Sequence, residues 1–194
     1  AASSALAAIT GAQTDRMTRD DGWQLLSIGR HVERLGFLSS ALDLAVEVGA
    51  FEDSADDVHS ADENSSHFAA LLSLFDSTIT FQAQYQQSCE LAPLIELLVQ
   101  DNDNPRSLAW VARTLRGRLS KLADTPMGEP DALARLVPDL KHTDLAQLCT
   151  PNDVGHHPNL RACLTECMQA AWQVSDAITA RYFSHTDHAD SVGA

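Results

Sequence analysis

The sequence predicts an all-α protein, a helical bundle of about five long helices with short helices in a Pro-rich connection. Two observations carry this. Apolar residues recur three and four positions apart along most of the chain, with Val and Ile at the same helical spacing. Strand signals are nearly absent, since no Asn-Gly or Asp-Gly turn joins two alternating runs.

The elements follow in chain order. A first helix is predicted over residues 4–17, despite Gly11. A long one follows from Gly22 to Val48, capped by Asp20 or Asp21 and stopped at Gly49. Residues 52–63 hold six acids and no Lys or Arg, a solvated and mobile connection. Asn64 or Ser65 opens the next helix, which carries Leu71, Leu74, Thr78 and Phe81 as far as Gln87. A shorter one places Leu91, Leu94, Ile95 and Leu98 on one side. Asn104 is then the expected N-cap, with Pro105 in the first helical position, of a helix ending at Ala123. Five prolines between 124 and 158 (Pro126, Pro130, Pro138, Pro151, Pro158) predict loops with one or two short helices. The last helix runs from Asn159 to Phe183 on the stripe Leu160, Cys163, Leu164, Cys167, Ala171, Val174 and Ile178. Residues 184–194 read as a frayed, disordered tail.

Composition narrows the function classes. With 194 residues, 44% hydrophobic and 21% charged, the chain fits one soluble globular domain. No apolar run reaches the roughly 18 residues of a membrane span, and no basic-then-apolar leader opens the chain. A cytoplasmic location is therefore expected. A formal charge of -14 argues against nucleic acid or an anionic membrane as partner. The basic stretch Arg106, Arg113, Arg116, Arg118 and Lys121 reads as a solvated helix face, with an anion site as the alternative. Four cysteines make no disulfide scaffold in a chain this long and read as small buried residues. No metal-ligand spacing accompanies them, so no metal is expected.

The helix from Gly22 to Val48 is apolar on both sides. At roughly 100° per residue, Leu25, Ile28, Val32, Leu35, Leu42 and Val46 share one face. Trp23, Leu26, Arg30, Glu33, Phe37, Ala41 and Leu44 share the opposite one. Charges among apolar neighbours must be paired or used. Arg30, Glu33 and Arg34 thus form either a buried ion-pair network that fixes register or a site for a carboxylate or phosphate group. Asp76 or Asp176 can balance the second arginine. The planar fork of Arg suits such anions, which it binds with two bonds. Asn104, Arg106 and Ser107 at a helix start form a second candidate anion site, or an ordinary cap. No Gly-x-Ser-x-Gly elbow, phosphate loop or dinucleotide fingerprint is present. Tyr85 and Tyr182 read as packing residues with a polar tip.

Four stretches together resemble a known family. Gly22-Trp-Gln-Leu-Leu-Ser-Ile-Gly-Arg-His-Val-Glu-Arg34 is similar to the GW-x-F-L-x-x-G-R-x-x-E-R helix of the bacterial alpha-E domains. Asp76-Ser-Thr-Ile-Thr-Phe-Gln-Ala-Gln-Tyr85 resembles their D-S-x-x-T-Y-R-x-R-Y helix. Leu97 to Leu108 resembles L-L-x-D-x-x-N-P-R-S-L, and Ile178 to Phe183 resembles the closing helix. Phe81 departs from the family's Tyr, and Gln82 and Gln84 from its basic residues, which weakens anion binding by that helix. The resemblance covers most of the chain and implies the C-terminal portion of an alpha-E region, with a further N-terminal helix elsewhere.

What the resemblance implies is context. Alpha-E domains accompany circularly permuted ATP-grasp proteins and transglutaminase-like proteins, company that suggests amide bonds made or processed in peptides. The expectation is an accessory domain, without autonomous activity, of an amidoligase or peptide-modification system. Its partners would be an ATP-grasp domain or protein, fused or separate, and a peptide substrate. ATP and Mg belong to that partner and no cofactor to this chain, while a homo-oligomer stays open. Carried over residue by residue, the candidate ligand-binding positions are Arg30, Glu33, Arg34, Asp76, Tyr85, Asn104, Arg106 and Ser107. Arg30 and Arg106 would grip a carboxylate or phosphorylated group. The alternatives are an independent enzyme with Glu33 as acid/base, and a purely structural module.

Overall fold

Asp20 caps the long helix as its sequence position predicts, its Oδ1 accepting the Trp23 N–H at 3.0 Å. The computed structural model describes residues 17–51, 60–86, 88–123 and 132–183, together with 4, 5, 8, 9 and 11. The long helix, α1, spans Asp21–Glu47. Gly49 ends it at φ 71°, with Ala50 N–H donating to the Ala45 carbonyl and Gly49 N–H to that of Val46. This is a Schellman stop, in which a left-handed residue without a Cβ lets the chain turn back on its last carbonyls.

The helices that follow are α2 (Ser60–Leu74), α3 (Thr78–Tyr85), α4 (Leu91–Ile95), α5 (Leu108–Ala123), α6 (Leu145–Leu148) and α7 (Pro158–Ile178). Short 3-10 turns cover Ala134–Leu136 and Leu140–His142. Wider π turns extend α4 over Glu96–Gln100 and α7 over Thr179–Phe183. Among the described residues there is no strand. The all-α expectation holds.

The core forms where α1 packs on α7 and α5. Ile28, Leu35 and Leu42 of α1 meet Leu115 and Leu119 of α5 and Leu160, Leu164, Cys167 and Val174 of α7 in one buried cluster. Each such aliphatic side chain contributes about 1.5–3 kcal/mol by leaving water. α1 and α7 run antiparallel. Arg161 at the start of α7 forks onto Asp43 of α1 at 2.9 and 3.1 Å, and Ser40 bonds to the Met168 sulfur at 3.1 Å. Gly36 faces α7 across this seam, where a Cβ would make ordinary contact with that of Ala171 at 3.5 Å.

Several expectations are corrected. The helix expected from Asn64 or Ser65 to Gln87 begins earlier, at Ser60, and breaks in two. At the break Asp76 takes φ 49°, with Ser77 N–H donating to Leu72 and Asp76 N–H to Ser73, a second Schellman stop without its glycine. Asn104 is not the N-cap of α5, nor is Pro105 its first residue. Ser107 does the capping, its Oγ accepting the Trp110 N–H at 3.0 Å. α7 begins one residue early, on Pro158, and buries its predicted stripe except for Cys163, which is half-buried. The second face of α1 is only partly buried: Trp23, Leu26, Arg30 and Ala41 are half-buried, while Phe37 and Leu44 are 56% and 60% exposed and Glu33 and the neighbouring Arg34 are exposed. Cys89 is exposed, whereas Cys167 is buried and hydrogen-bonded to Cys163, and all four thiols are free of disulfides. The acidic connection over 52–59, most of the first helix and the tail over 184–194 lie outside the described residues.

Candidate anion-binding site

The break between α2 and α3 places Asp76 at a corner, and Arg106 reaches it from the loop ahead of α5. That loop is held by internal bonds. Asp101 Oδ1 accepts the N–H groups of Asp103 and Asn104 at 2.8 and 3.2 Å. Asn104 is buried, donates to the Leu97 carbonyl at 3.1 Å and accepts the Arg106 N–H at 3.1 Å. Ser107, fully buried, donates to the Asp101 carbonyl. Asn104 and Ser107 therefore build the loop rather than face a ligand. Their work leaves the Arg106 side chain at the surface.

Arg34 comes to the same place from α1. With Phe37, Leu74, Phe75 and Pro105 as apolar walls, Arg34, Asp76 and Arg106 line a groove of about 410 Å³. Although Arg34 is exposed as a residue, its guanidinium loses part of its hydration in the groove. That loss, then the charge of Arg106, lowers its pKa, and Asp76 opposes them. Two guanidiniums and one carboxylate leave the groove one positive charge. Arg106 meets Asp76 through Nη2 alone, so an acid group entering from solvent has further guanidinium N–H donors to bond.

The other candidates lie elsewhere. Arg30 and Glu33 line a separate groove of about 560 Å³ between the start of α1 and the end of α7, with Leu25, Val32, Ile178 and Phe183 as its walls. The expected pairing of Arg30 with Arg106 is thus corrected: Arg34 is the arginine that joins Arg106. Asp176 is exposed on α7 and lines neither groove. Glu33 is solvent-exposed rather than enclosed by its apolar neighbours. His31, between the two arginines, bonds through Nδ1 to the Ser27 carbonyl at 2.6 Å and lies 6.0 Å from the Trp110 ring. Burial lowers its pKa, the Ser27 bond opposes this, and Arg118, Arg34 and Arg30 add to the lowering.

Tyr85 sits at the far end of α3, in a third groove of about 580 Å³ with Gln84, Glu96, Gln100, Asp101 and Lys141. Its hydroxyl donates to Glu96. Burial first, then that bond and the charges of Glu96 and Asp101, push its pKa up to about 12. Glu96, Gln100 and Lys141 carried no signal in the sequence. The walls Phe37 and Leu74 read in the sequence as members of apolar helix faces, and both are exposed. The basic stretch of α5 is largely engaged locally: Arg113 donates to the Asn102 carbonyl at 2.8 Å and Arg116 pairs with Asp139 at 2.8 Å. Arg118 lies over the Trp23 ring at 4.4 Å.

Fold and site together define a helical domain that presents charged grooves at its surface. Residues 1–183 match the Alpha-E family, described as "a predicted alpha-helical domain with a conserved ER motif", and the chain belongs to that family. Its one Glu-Arg pair is Glu33-Arg34, whose arginine lines the groove with Arg106. No curated protein and no solved structure matches the chain.

Proposed function

We propose that this chain is an accessory helical domain of an ATP-dependent amide-forming system, holding a carboxylate group for an ATP-grasp partner. The observation that carries the ligand side of this reading is the convergence of Arg34 and Arg106 on Asp76 in an apolar-walled groove. Such a groove suits a carboxylate attached to an apolar group, since the walls offer apolar contact while the guanidiniums supply N–H donors. The partner side rests on the resemblance to alpha-E domains, and ATP and Mg would bind there. A cytoplasmic setting goes with this reading. No described helix is long and apolar enough to cross a membrane.

The alternative of an independent enzyme acting through Glu33 has less support, because Glu33 stands in the open and no second acid lines its groove. The purely structural alternative in its buried form does not fit exposed Glu33 and Arg34. The test is the ATP turnover of the ATP-grasp partner on short peptides, with and without this chain. Stimulation that Arg34→Ala or Arg106→Ala abolishes would support the reading. Equal turnover in all cases would sink it.

A further inference from the structure

The grooves at the two ends of α3 carry opposite net charge. At the Asp76 end, Arg34 and Arg106 outnumber one carboxylate. At the Tyr85 end, Glu96 and Asp101 outnumber the ammonium of Lys141. One loop serves both, since Asp101 lines the acidic groove while Arg106, five residues on, lines the basic one. That loop is fixed by Asn104 and Ser107, both buried, so the two charged walls are held in a set relation.

We infer that the two grooves bind the two ends of one short zwitterionic peptide, its C-terminal carboxylate on Arg34 and Arg106 and its α-ammonium on Glu96 and Asp101. This rests on the carboxylate reading above and adds the ligand's other end and its length. α3 has 8 residues. At a rise of about 1.5 Å per residue its length is about 12 Å. An extended peptide advances about 3.3–3.6 Å per residue, so roughly three or four residues span that distance. The hydroxyl of Tyr85 donates to Glu96, which ties down a carboxylate that lines the groove. The apolar walls Phe37, Leu74, Phe75 and Pro105 favour a C-terminal residue with an aliphatic side chain. The acidic groove has no comparable walls, so the N-terminal residue is read by charge alone.

The experiment is calorimetric titration of the full chain with Ala-Ala-Ala-Leu, its N-acetyl and C-amide forms, and the matching dipeptide and hexapeptide. The tetrapeptide is expected to bind best. Acetylation and amidation are each expected to weaken it by roughly tenfold or more, the loss of one charge-assisted contact. Glu96→Gln, at an exposed position, should narrow the difference between the free and acetylated peptides, with Asp101 left to hold the ammonium. If the acetylated peptide binds the wild type as well as the free one, the inference fails while the carboxylate reading stands. If the amide also binds equally, the carboxylate reading fails too. Equal affinity for dipeptide, tetrapeptide and hexapeptide overturns the two-ended span. Absence of binding by all of them at millimolar concentration overturns the inference, and the turnover experiment then decides the carboxylate reading by itself.

Discussion

Arg106 pairs with Asp76 across 30 residues of sequence, and Asp76 makes that pair from a left-handed backbone conformation, φ 49°. Left-handed geometry is unfavourable for residues with a Cβ by about 1–2 kcal/mol, though Asp tolerates it better than most. A glycine at this Schellman position would relieve that cost. What the aspartate adds in return is an ion pair whose partners are 38% and 81% exposed, worth at most about 1 kcal/mol. The folding ledger gives little reason for Asp76, so a part in the groove's charge balance is the better account.

A first prediction follows from that comparison. Asp76→Gly should leave the melting temperature unchanged or raise it, because backbone relief offsets the lost pair. Carboxylate affinity should rise, since Arg34 and Arg106 lose their competitor. A drop in melting temperature beyond about 4 °C, roughly 1 kcal/mol or more for a chain of this size, would mean the pair outweighs the strain.

Ser107 and Arg106 are neighbours with opposite duties, which two substitutions can separate. Ser107→Ala removes the cap of α5 and strips the Asp101 carbonyl of its donor inside the fold. A loss of about 1–3 kcal/mol is expected in urea denaturation. Arg106→Ala removes an exposed pair and should change stability by about 1 kcal/mol or less. Reversed magnitudes would make Arg106 a structural residue and weaken its place in the groove.

How far the sequence reveals this site depends on the kind of signal. Capping by Asp20 and the stop at Gly49 were legible because they are local: one side chain, one turn, one glycine. The same local rule misplaced the start of α5, since Asn104, Pro105 and Ser107 are all good N-terminal residues. Only the tertiary contact of Asn104 with Leu97 decides among them. The break at Asp76 was hidden, because apolar spacing continues through it and no glycine marks the left-handed residue. Pairing is less legible still. Arg30 and Arg34 lie close together on a helical wheel until the positions of α2, the loop ahead of α5 and α7 assign one to each groove. The exposed Phe37 and Leu44 show why burial was overestimated: hydrophobic spacing marks where a residue points, and a neighbour must exist to cover it.

Tyr85 gives a prediction for alkaline solution. Its folded pKa, about 12, is raised above the unfolded value, so the folded state keeps a proton that the unfolded chain gives up near pH 10. Stability from this group is fully present below pH 10 and is lost as pH rises through about 12. Phenolate absorbance should therefore show one tyrosine ionising late, and Tyr85→Phe should remove that step. Glu96→Gln should move the step to lower pH by taking away the charge that opposes ionisation. A Tyr85 step at the ordinary pKa would mean that its hydroxyl is not held by Glu96.

Gly36 and Gly29 test the close seam between α1 and α7. Both lie inside a helix, where glycine is less favourable than alanine by about 0.5–1 kcal/mol. A Cβ at Gly29 would meet nothing within 4 Å, and one at Gly36 would sit in ordinary contact, 3.5 Å from the Ala171 Cβ. Each glycine-to-alanine change should accordingly raise stability by roughly that amount. Gly36→Leu should do the reverse, because atoms beyond Cβ run into Ala171 and force the helices apart, costing about 1–3 kcal/mol. Since Arg161 ties the other end of the seam to Asp43, the separation would strain that fork as well. Denaturant midpoints for the three variants decide the matter. If Gly36→Leu matched Gly36→Ala, α1 and α7 would not be in the close register that places Glu33 and Arg30 beside Ser175 and Thr179.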